Sequence, residues 1–279
     1  MKILILGSSG RLGNLLYKSF KSKHKVFNNG LKKRKYDISN FNRIQKLLKN
    51  NLDLIINCSG DTNIENCEKN KLKLAKQENS FRKFISLAHK KKIKFIQIST
   101  DHMYDNPNFN KASNEKTKPK INNYYTKNKI ALENIALKKN ALILRTNFFS
   151  FTMKKHLVSN LLKNVEMRKS INLAYDQFFS PLNIFTLVKI LETIIDQRKF
   201  FSGIYNLGSK KGMSKANFCL KILKREKIKN FNYNLVKIND LCLVKRSKNM
   251  KMSVKKFENK FKIKLPYLSQ ELRKNNDFY

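Results

Sequence analysis

Two rhythms of apolar residues alternate along the first half of the chain. Short strand-like runs occur at 3–6, 25–28, 53–57, 93–98 and 141–144. Between them lie longer stretches with apolar positions three or four apart, near 11–22, 40–50, 79–91 and 124–139. Asn79-Ser80 before Phe81, Phe84, Ile85 and Leu87 shows the helical spacing, and so do Ile130, Ile135 and Leu137 after Tyr125. A period of two or a short buried run predicts a strand, and a period near 3.6 predicts a helix with one buried face. Strand–helix alternation of this length predicts βαβ units, hence an α/β fold with a doubly wound parallel sheet. After about residue 150 the helical stretches lengthen (152–168, 183–198, 214–227), with a short strand at 203–207 between them. The tail from Ser253 predicts two short helices split at Leu265-Pro266.

The first apolar run ends in "GSSGRLG", which places Gly7, Gly10 and Gly13 together in a chain that has only 8 glycines. The segment after Gly10 has helical spacing in Leu12, Leu15, Leu16 and Phe20, so the three glycines occupy a strand-to-helix turn. Such a turn needs a positive φ, close approach of backbone to a pyrophosphate, and tight contact between helix and sheet. The helix N-terminus adds free N–H groups and the positive end of its dipole. This context predicts a Rossmann-type dinucleotide-binding domain over residues 1–150. Residues 151–279 then form a smaller mixed α/β region, mainly substrate-binding, with about 174–198 returning to pack on the first domain. The second strand ends in Asn28-Asn29-Gly30 without a carboxylate and is followed by Lys32, Lys33 and Arg34. An Asp or Glu there would bind the ribose hydroxyls of NAD, whereas cations attract a 2′-phosphate. NADPH is therefore the expected cofactor, with NADH possible. Asp37 and Ile38 sit where a loop would line the adenine.

Charge and cysteine content change this picture little. The net charge of +41 invites a nucleic-acid reading. The lysines are spread along the chain, however, without interleaved stacking aromatics, a zinc finger or a recognition-helix pattern. Abundant Lys, Asn, Ile and Phe also match A/T-rich coding. No nucleic-acid partner is expected, although a diffuse positive field favours anionic small molecules. No apolar run reaches the roughly 18 residues of a membrane span, and Ile3–Leu6 is too short for a signal-peptide core. The four cysteines, Cys58, Cys67, Cys219 and Cys242, form no CxxC pair and have no zinc-ligand spacing. They read as reduced thiols in a cytoplasmic protein, and no metal site is expected.

The candidate chemistry lies in "IQISTDHMYD" and "NNYYTKNKIALEN". A strand runs into Ser99-Thr100-Asp101 at its carboxyl end, where α/β sheets place their ligands. Tyr125 and Lys129, four apart, share one face of the following helix. The same spacing occurs at Tyr17/Lys21 and Tyr233/Lys237, but only the 125/129 pair begins the helix after the Ser-Thr strand end. An unperturbed phenol has a pKa near 10 and is a weak acid for ketone reduction. A neighbouring ammonium stabilises the phenolate and lowers that pKa. Tyr125 is thus the expected proton donor, with Lys129 its partner and a ligand of the nicotinamide ribose. Thr100 donates a hydrogen bond to the carbonyl oxygen as charge develops there.

Together these motifs resemble the extended short-chain dehydrogenase/reductase superfamily, and within it the dTDP-4-dehydrorhamnose reductase family. "DLIINCSGDTNIENCEKN", "ILRTNFF", "YDQFFSPLNI", "GIYNLGSKKGMSKANF" and "KRSKNMKMSVKKFENKFKIKLP" carry the resemblance beyond the superfamily motifs. It implies NAD(P)H-dependent reduction of the 4-keto group of dTDP-4-dehydro-L-rhamnose, a step of polysaccharide precursor synthesis. It also implies that Gly10, Arg11 and Leu12 contact the pyrophosphate, that Gly60, Asp61 and Thr62 line the cofactor cleft, and that Asp101 and Phe148 face the sugar beside Thr100. A different nucleotide-deoxysugar reductase resembles the same family. So does a non-catalytic NADP-binding regulatory subunit such as the beta subunit of methionine adenosyltransferase. His102 stands where the family has Tyr, Phe148 where it commonly has Trp, and Ser247 where it has Pro. Leu15 stands where some members carry the Glu of a metal-bridged dimer. That dimer is therefore not expected, and the chain is read as a monomer or a different homodimer.

Overall fold

The computed structural model describes residues 1–28, 37–153 and 156–274. In chain order its first elements are β1 (Lys2–Leu6), α1 (Arg11–Phe20), β2 (Lys25–Asn28), α2 (Phe41–Ile44), β3 (Leu54–Asn57), α3 (Ile64–Lys69), α4 (Lys71–Lys90), β4 (Lys94–Thr100), α5 (Tyr124–Leu137) and β5 (Leu142–Thr146). Then come β6 (Phe148–Phe149), α6 (Leu157–Glu166), β7 (Ile171–Ala174), β8 (Phe178–Phe179), β9 (Leu182–Asn183), α7 (Ile184–Asp196), β10 (Gly203–Leu207) and β11 (Met213–Ser214). The last are α8 (Lys215–Arg225), β12 (Tyr233–Val236), α9 (Ile238–Leu241), α10 (Lys255–Phe261) and α11 (Leu268–Arg273).

The chain divides into two compact units. The first comprises Met1–Thr100, Asn123–Arg145 and Val188–Tyr205; the second comprises Asp101–Asn122, Thr146–Leu187 and Asn206–Tyr279. Six strands form one sheet in the order β10-β5-β4-β3-β1-β2, in which β1 pairs in parallel with β2 and β3, and β3 with β4. Ile3 to Leu6 and Leu54 to Ile56 are fully buried. Strands of a parallel sheet are covered on both faces, so they read as continuous apolar runs rather than alternating ones. Helices supply Phe81, Phe84, Ile85 and Leu132 to the same core. Each such side chain contributes roughly 1.5–3 kcal/mol when buried.

The second unit contains three two-stranded pieces: β7 with β12, β8 with β11, and β6 with β9. Its core is built on Phe149, Phe179 and Phe218, whose rings meet edge to face with centroids 5.0 and 5.1 Å apart.

Two expected helices differ in extent, and a short one was not expected. The segment 40–50 is α-helical only over Phe41–Ile44 and continues as a 3-10 turn, Gln45–Asn50, that ends at Asn51 with φ +47°. Helix α4 starts at Lys71, eight positions ahead of the apolar pattern, because its first turns bury Leu74 with the polar Gln77 and Ser80. An apolar count does not see polar members of a buried stripe. Helix α3 precedes it, capped by the Asn63 side chain, which accepts from the Asn66 N–H at 2.8 Å.

Candidate active site

β1 runs directly into Gly7, whose φ is +78° and whose carbonyl accepts from the Gly10 N–H at 2.9 Å. A Cβ on Gly7 would stand 2.7–2.8 Å from backbone atoms of Cys58 and Ser59. A Cβ on Gly13 would stand 2.3 Å from the Gly7 carbonyl oxygen. Gly7 thus permits both the left-handed turn and the close approach of the chain after β3, and Gly13 lets α1 lie against the turn. Gly10 is the N-cap of α1 and leaves the helix end without a side-chain cap. The first-turn N–H groups of such a helix end are the kind that bind phosphate oxygens.

A cleft of about 570 Å³ opens at this turn. Gly7, Ser9 and Gly10 line it from the turn, Asp37, Ile38 and Ser39 from the loop before α2, and Cys58 to Asp61 from the loop after β3. One face of α3 and α4, through Asn66, Cys67, Asn70, Lys73 and Gln77, completes it. Six residues expected at the cofactor therefore share one cavity: Gly7, Gly10, Asp37, Ile38, Gly60 and Asp61. The other six do not line it: Tyr125 and Lys129 stand on α5, and four lie elsewhere. Leu12 is in the core, Gly13 packs on the turn, Arg11 is half-buried in the first turn of α1, and Thr62 is exposed. The cations Lys32 to Arg34 lie outside the described residues. Cys67, Asn70, Lys73 and Gln77 were not legible as cleft residues, because their placement depends on how α3 and α4 dock. The glycine cradle and this cavity fit a nicotinamide dinucleotide.

Helix α5 carries the candidate catalytic pair. The Asn123 side chain accepts from the Thr126 N–H at 2.9 Å, and the Thr126 hydroxyl answers the Asn123 N–H in a capping box. The Glu68 carboxylate, from α3, accepts from the Tyr124 N–H at 2.6 Å. The Asn128 amide donates to Glu78 of α4 at 2.8 Å. These contacts fix the helix end from two neighbouring helices. Asn123→Ala should lower stability by about 1 kcal/mol, read as the urea midpoint, since one N-cap is lost. An unchanged midpoint would show that Glu68 alone holds this end.

Tyr125 and Lys129 are both buried, each 7% exposed. The Lys129 ammonium lies 5.9 Å from the centre of the Tyr125 ring. It also lies 3.0 Å from where a Cβ on Gly60 would stand, so the absence of that Cβ admits the amine to the loop that lines the cleft. Burial lowers the Lys129 pKa, while Cys67, Cys58 and Glu133 act to raise it. Thr100 closes β4, the strand on which α5 packs, and is 4% exposed. Burial pushes the Cys58 thiol up to about 12 and the Cys67 thiol up to about 11, with Lys129 opposing both. Both should therefore resist alkylation near neutral pH, because the thiolate is the reactive form. Rapid iodoacetamide labelling at pH 7, followed by peptide mass spectrometry, would contradict this.

In the second unit, Asp101 is fully buried and accepts from the Asn147 amide at 2.9 Å. Phe148 stacks on His156, with centroids 6.3 Å apart. Burial drives the His102 imidazole down to about 3, and the nearby Lys215 and Arg246 cations push the same way. His102 is thus neutral at physiological pH. In the unfolded chain it takes up its proton near 6.5. Stability should accordingly fall as the pH drops from about 6.5 towards 3, because only the unfolded state binds the proton in that window. His102→Asn should flatten that slope in denaturant titrations across the window.

Among the described residues, no cluster of three or more His, Cys, Asp or Glu is placed to hold a metal, and no helix is long and apolar enough to cross a membrane.

The parallel sheet, the glycine turn under its cleft and the Tyr-x-x-x-Lys helix after β4 are the layout of a Rossmann-type α/β protein. More specifically, the family model of the RmlD substrate binding domain matches residues 1–277, and the chain belongs to that family. No curated protein matches the sequence. Among solved structures, the chain is similar to a dTDP-4-dehydrorhamnose reductase from Clostridium acetobutylicum, with 21% identity and a TM-score of 0.87 over 98% of this chain and 97% of that one. It is similarly close to a dTDP-4-dehydrorhamnose reductase from Bacillus anthracis in complex with NADP, with 20% identity and a TM-score of 0.87 over 97% and 96%. The corresponding reductase from Yersinia enterocolitica gives 17% identity and a TM-score of 0.86 over 97% and 96%.

Proposed function

We propose that the protein is an NADPH-dependent oxidoreductase that reduces the 4-keto group of a nucleotide-linked deoxysugar. Its first candidate substrate is dTDP-4-dehydro-L-rhamnose. The observation that carries this reading is the buried Tyr125–Lys129 pair on α5, whose ammonium touches the loop lining the glycine-turned cleft. Membership of the RmlD family and likeness to a reductase that binds NADP support it.

When bound, the reduced nicotinamide supplies a hydride. Tyr125 gives its phenolic proton to the oxygen of the reduced carbonyl. Lys129 favours the phenolate that remains and bonds the nicotinamide ribose. Thr100 donates a hydrogen bond to the same oxygen as its charge grows. Asp37 and Ile38 bind the adenine end, and the Gly10 end of α1 binds the pyrophosphate. Gly60, Asp61 and Thr62 belong to the cofactor loop. Asp101, next in the chain after Thr100, and Phe148 are the proposed sugar contacts. The reaction needs no membrane, metal or nucleic acid, and a cytoplasmic monomer or homodimer suffices for it.

The test mixes protein, NADPH and dTDP-4-dehydrorhamnose and follows the loss of cofactor absorbance. Oxidation that requires both substrates supports the reading. A keto-sugar with a different nucleotide or ring substituent turning over faster would favour the second reading, a different deoxysugar, to which His102 and Phe148 point. No oxidation with any keto-sugar nucleotide, with NADPH still bound, would favour a regulatory binding subunit.

A further inference from the structure

Helix α5 carries a third buried residue on the stripe that holds the catalytic pair. Glu133 follows Lys129 by four positions, as Lys129 follows Tyr125, so the three share one helix face. Glu133 is 2% exposed. Its carboxylate accepts from the Arg145 Nε at 3.0 and 3.2 Å and from the Arg145 Nη2 at 2.7 Å, a two-pronged pair with β5. Arg145 is likewise 2% exposed.

A buried ion pair is weak evidence for stability, since an apolar pair of the same volume often serves as well or better. Its place on the catalytic helix suggests another reason. The groups acting on Lys129 come from three directions: Cys58 after β3, Cys67 on α3, and Glu133 and Tyr125 on its own helix. The α4 carboxylate facing α5, Glu78, is engaged by Asn128, and Glu68 of α3 is engaged at the Tyr124 N–H. Both thiols keep their protons at neutral pH, which leaves Glu133 as the anion acting on the ammonium. The negative end of the Glu133–Arg145 pair is on Lys129's helix, and the positive end is on β5.

We propose that Glu133, locked in place by Arg145, is a positioning residue that holds the Lys129 ammonium against Tyr125. The role in turnover rests on the reading of the site given above. The charge of Lys129 does not, and it is measurable without substrate. The ordinary opposition holds: burial disfavours the charged amine, and a carboxylate on the same helix face favours it.

The experiment labels the cofactor-free protein with acetic anhydride across pH and reads acetylation of Lys129 by peptide mass spectrometry. Only the neutral amine reacts, so the midpoint reports the ammonium. Glu133→Gln leaves the Arg145 cation uncompensated and should move the midpoint down by about one unit or more. Arg145→Met leaves the carboxylate alone and should move it up. The double variant removes the pair without leaving Glu133 or Arg145 unpaired, and its midpoint should lie below that of wild type; if a single variant fails to fold, that downward shift remains the test. Opposite shifts cannot come from loss of packing, which both single variants share. Shifts in the same direction, or a double variant indistinguishable from wild type, would overturn the proposal. In turnover, the alkaline limb of the pH profile should move with the labelling midpoint. If the wild type reduces no keto-sugar nucleotide, the functional reading falls while the labelling result stands.

Discussion

Tyr125→Phe should lower turnover of the keto-sugar by about 10³-fold while the protein still folds and binds NADPH. The change removes one oxygen and its proton and keeps the ring in its buried place on α5. General acid catalysis by a positioned side chain is worth about 10²–10⁴-fold, and the larger part of that range is expected where no other donor takes over. Steady-state rates from cofactor absorbance give the first number, and quenching or enhancement of NADPH fluorescence gives the affinity. A variant that retains a tenth or more of wild-type turnover would remove Tyr125 from the role of proton donor. A variant that loses NADPH affinity along with rate would show instead that the hydroxyl holds the cofactor.

Gly7→Ala should abolish cofactor binding and cost on the order of 3 kcal/mol of stability. Two separate penalties act at this one atom. The backbone at residue 7 has φ +78°, where an L side chain is strained. The new methyl would also stand 2.7–2.8 Å from the backbone of Cys58 and Ser59, which has no rotamer to move. Relief requires the turn to separate from the loop after β3, and both segments line the cleft. Urea denaturation measures the first effect and NADPH titration the second. Gly10→Ala is the natural control: its Cβ would meet only the Gly7 carbonyl oxygen at 3.2 Å, and its backbone is not left-handed. Equal loss of stability from both substitutions would argue against the strain at residue 7.

Much of the candidate site's geometry is legible in the sequence because its signals are local. A glycine turn immediately after an apolar run, and a Tyr-x-x-x-Lys at the start of a helix, depend on residues within a few positions of one another. Backbone angle and helix periodicity set their geometry directly. Cys67, Lys73 and Gln77 of the cleft wall were not readable, since the face that α3 and α4 turn to the cleft is chosen by their docking. The early start of α4 was hidden for a related reason: Gln77 and Ser80 are polar residues on a buried face. The Glu133–Arg145 pair is not legible in the sequence either. Twelve positions apart on a helix and a strand, the two residues look like ordinary surface charges in a lysine-rich chain until β5 brings the guanidinium under α5.

The sequence by itself determined the parallel α/β sheet, the glycine turn at Gly7 to Gly13 and the Tyr125/Lys129 face. Each follows from residue spacing matched to a strand or helix period, or from a conformation only glycine adopts without strain. Tertiary structure alone decided what surrounds the ammonium of Lys129: the open side at Gly60, two protonated thiols, and a carboxylate held by an arginine from another strand. Those neighbours come from four separate segments. Charge and burial at one atom depend on distances through space, which no local pattern along the chain encodes.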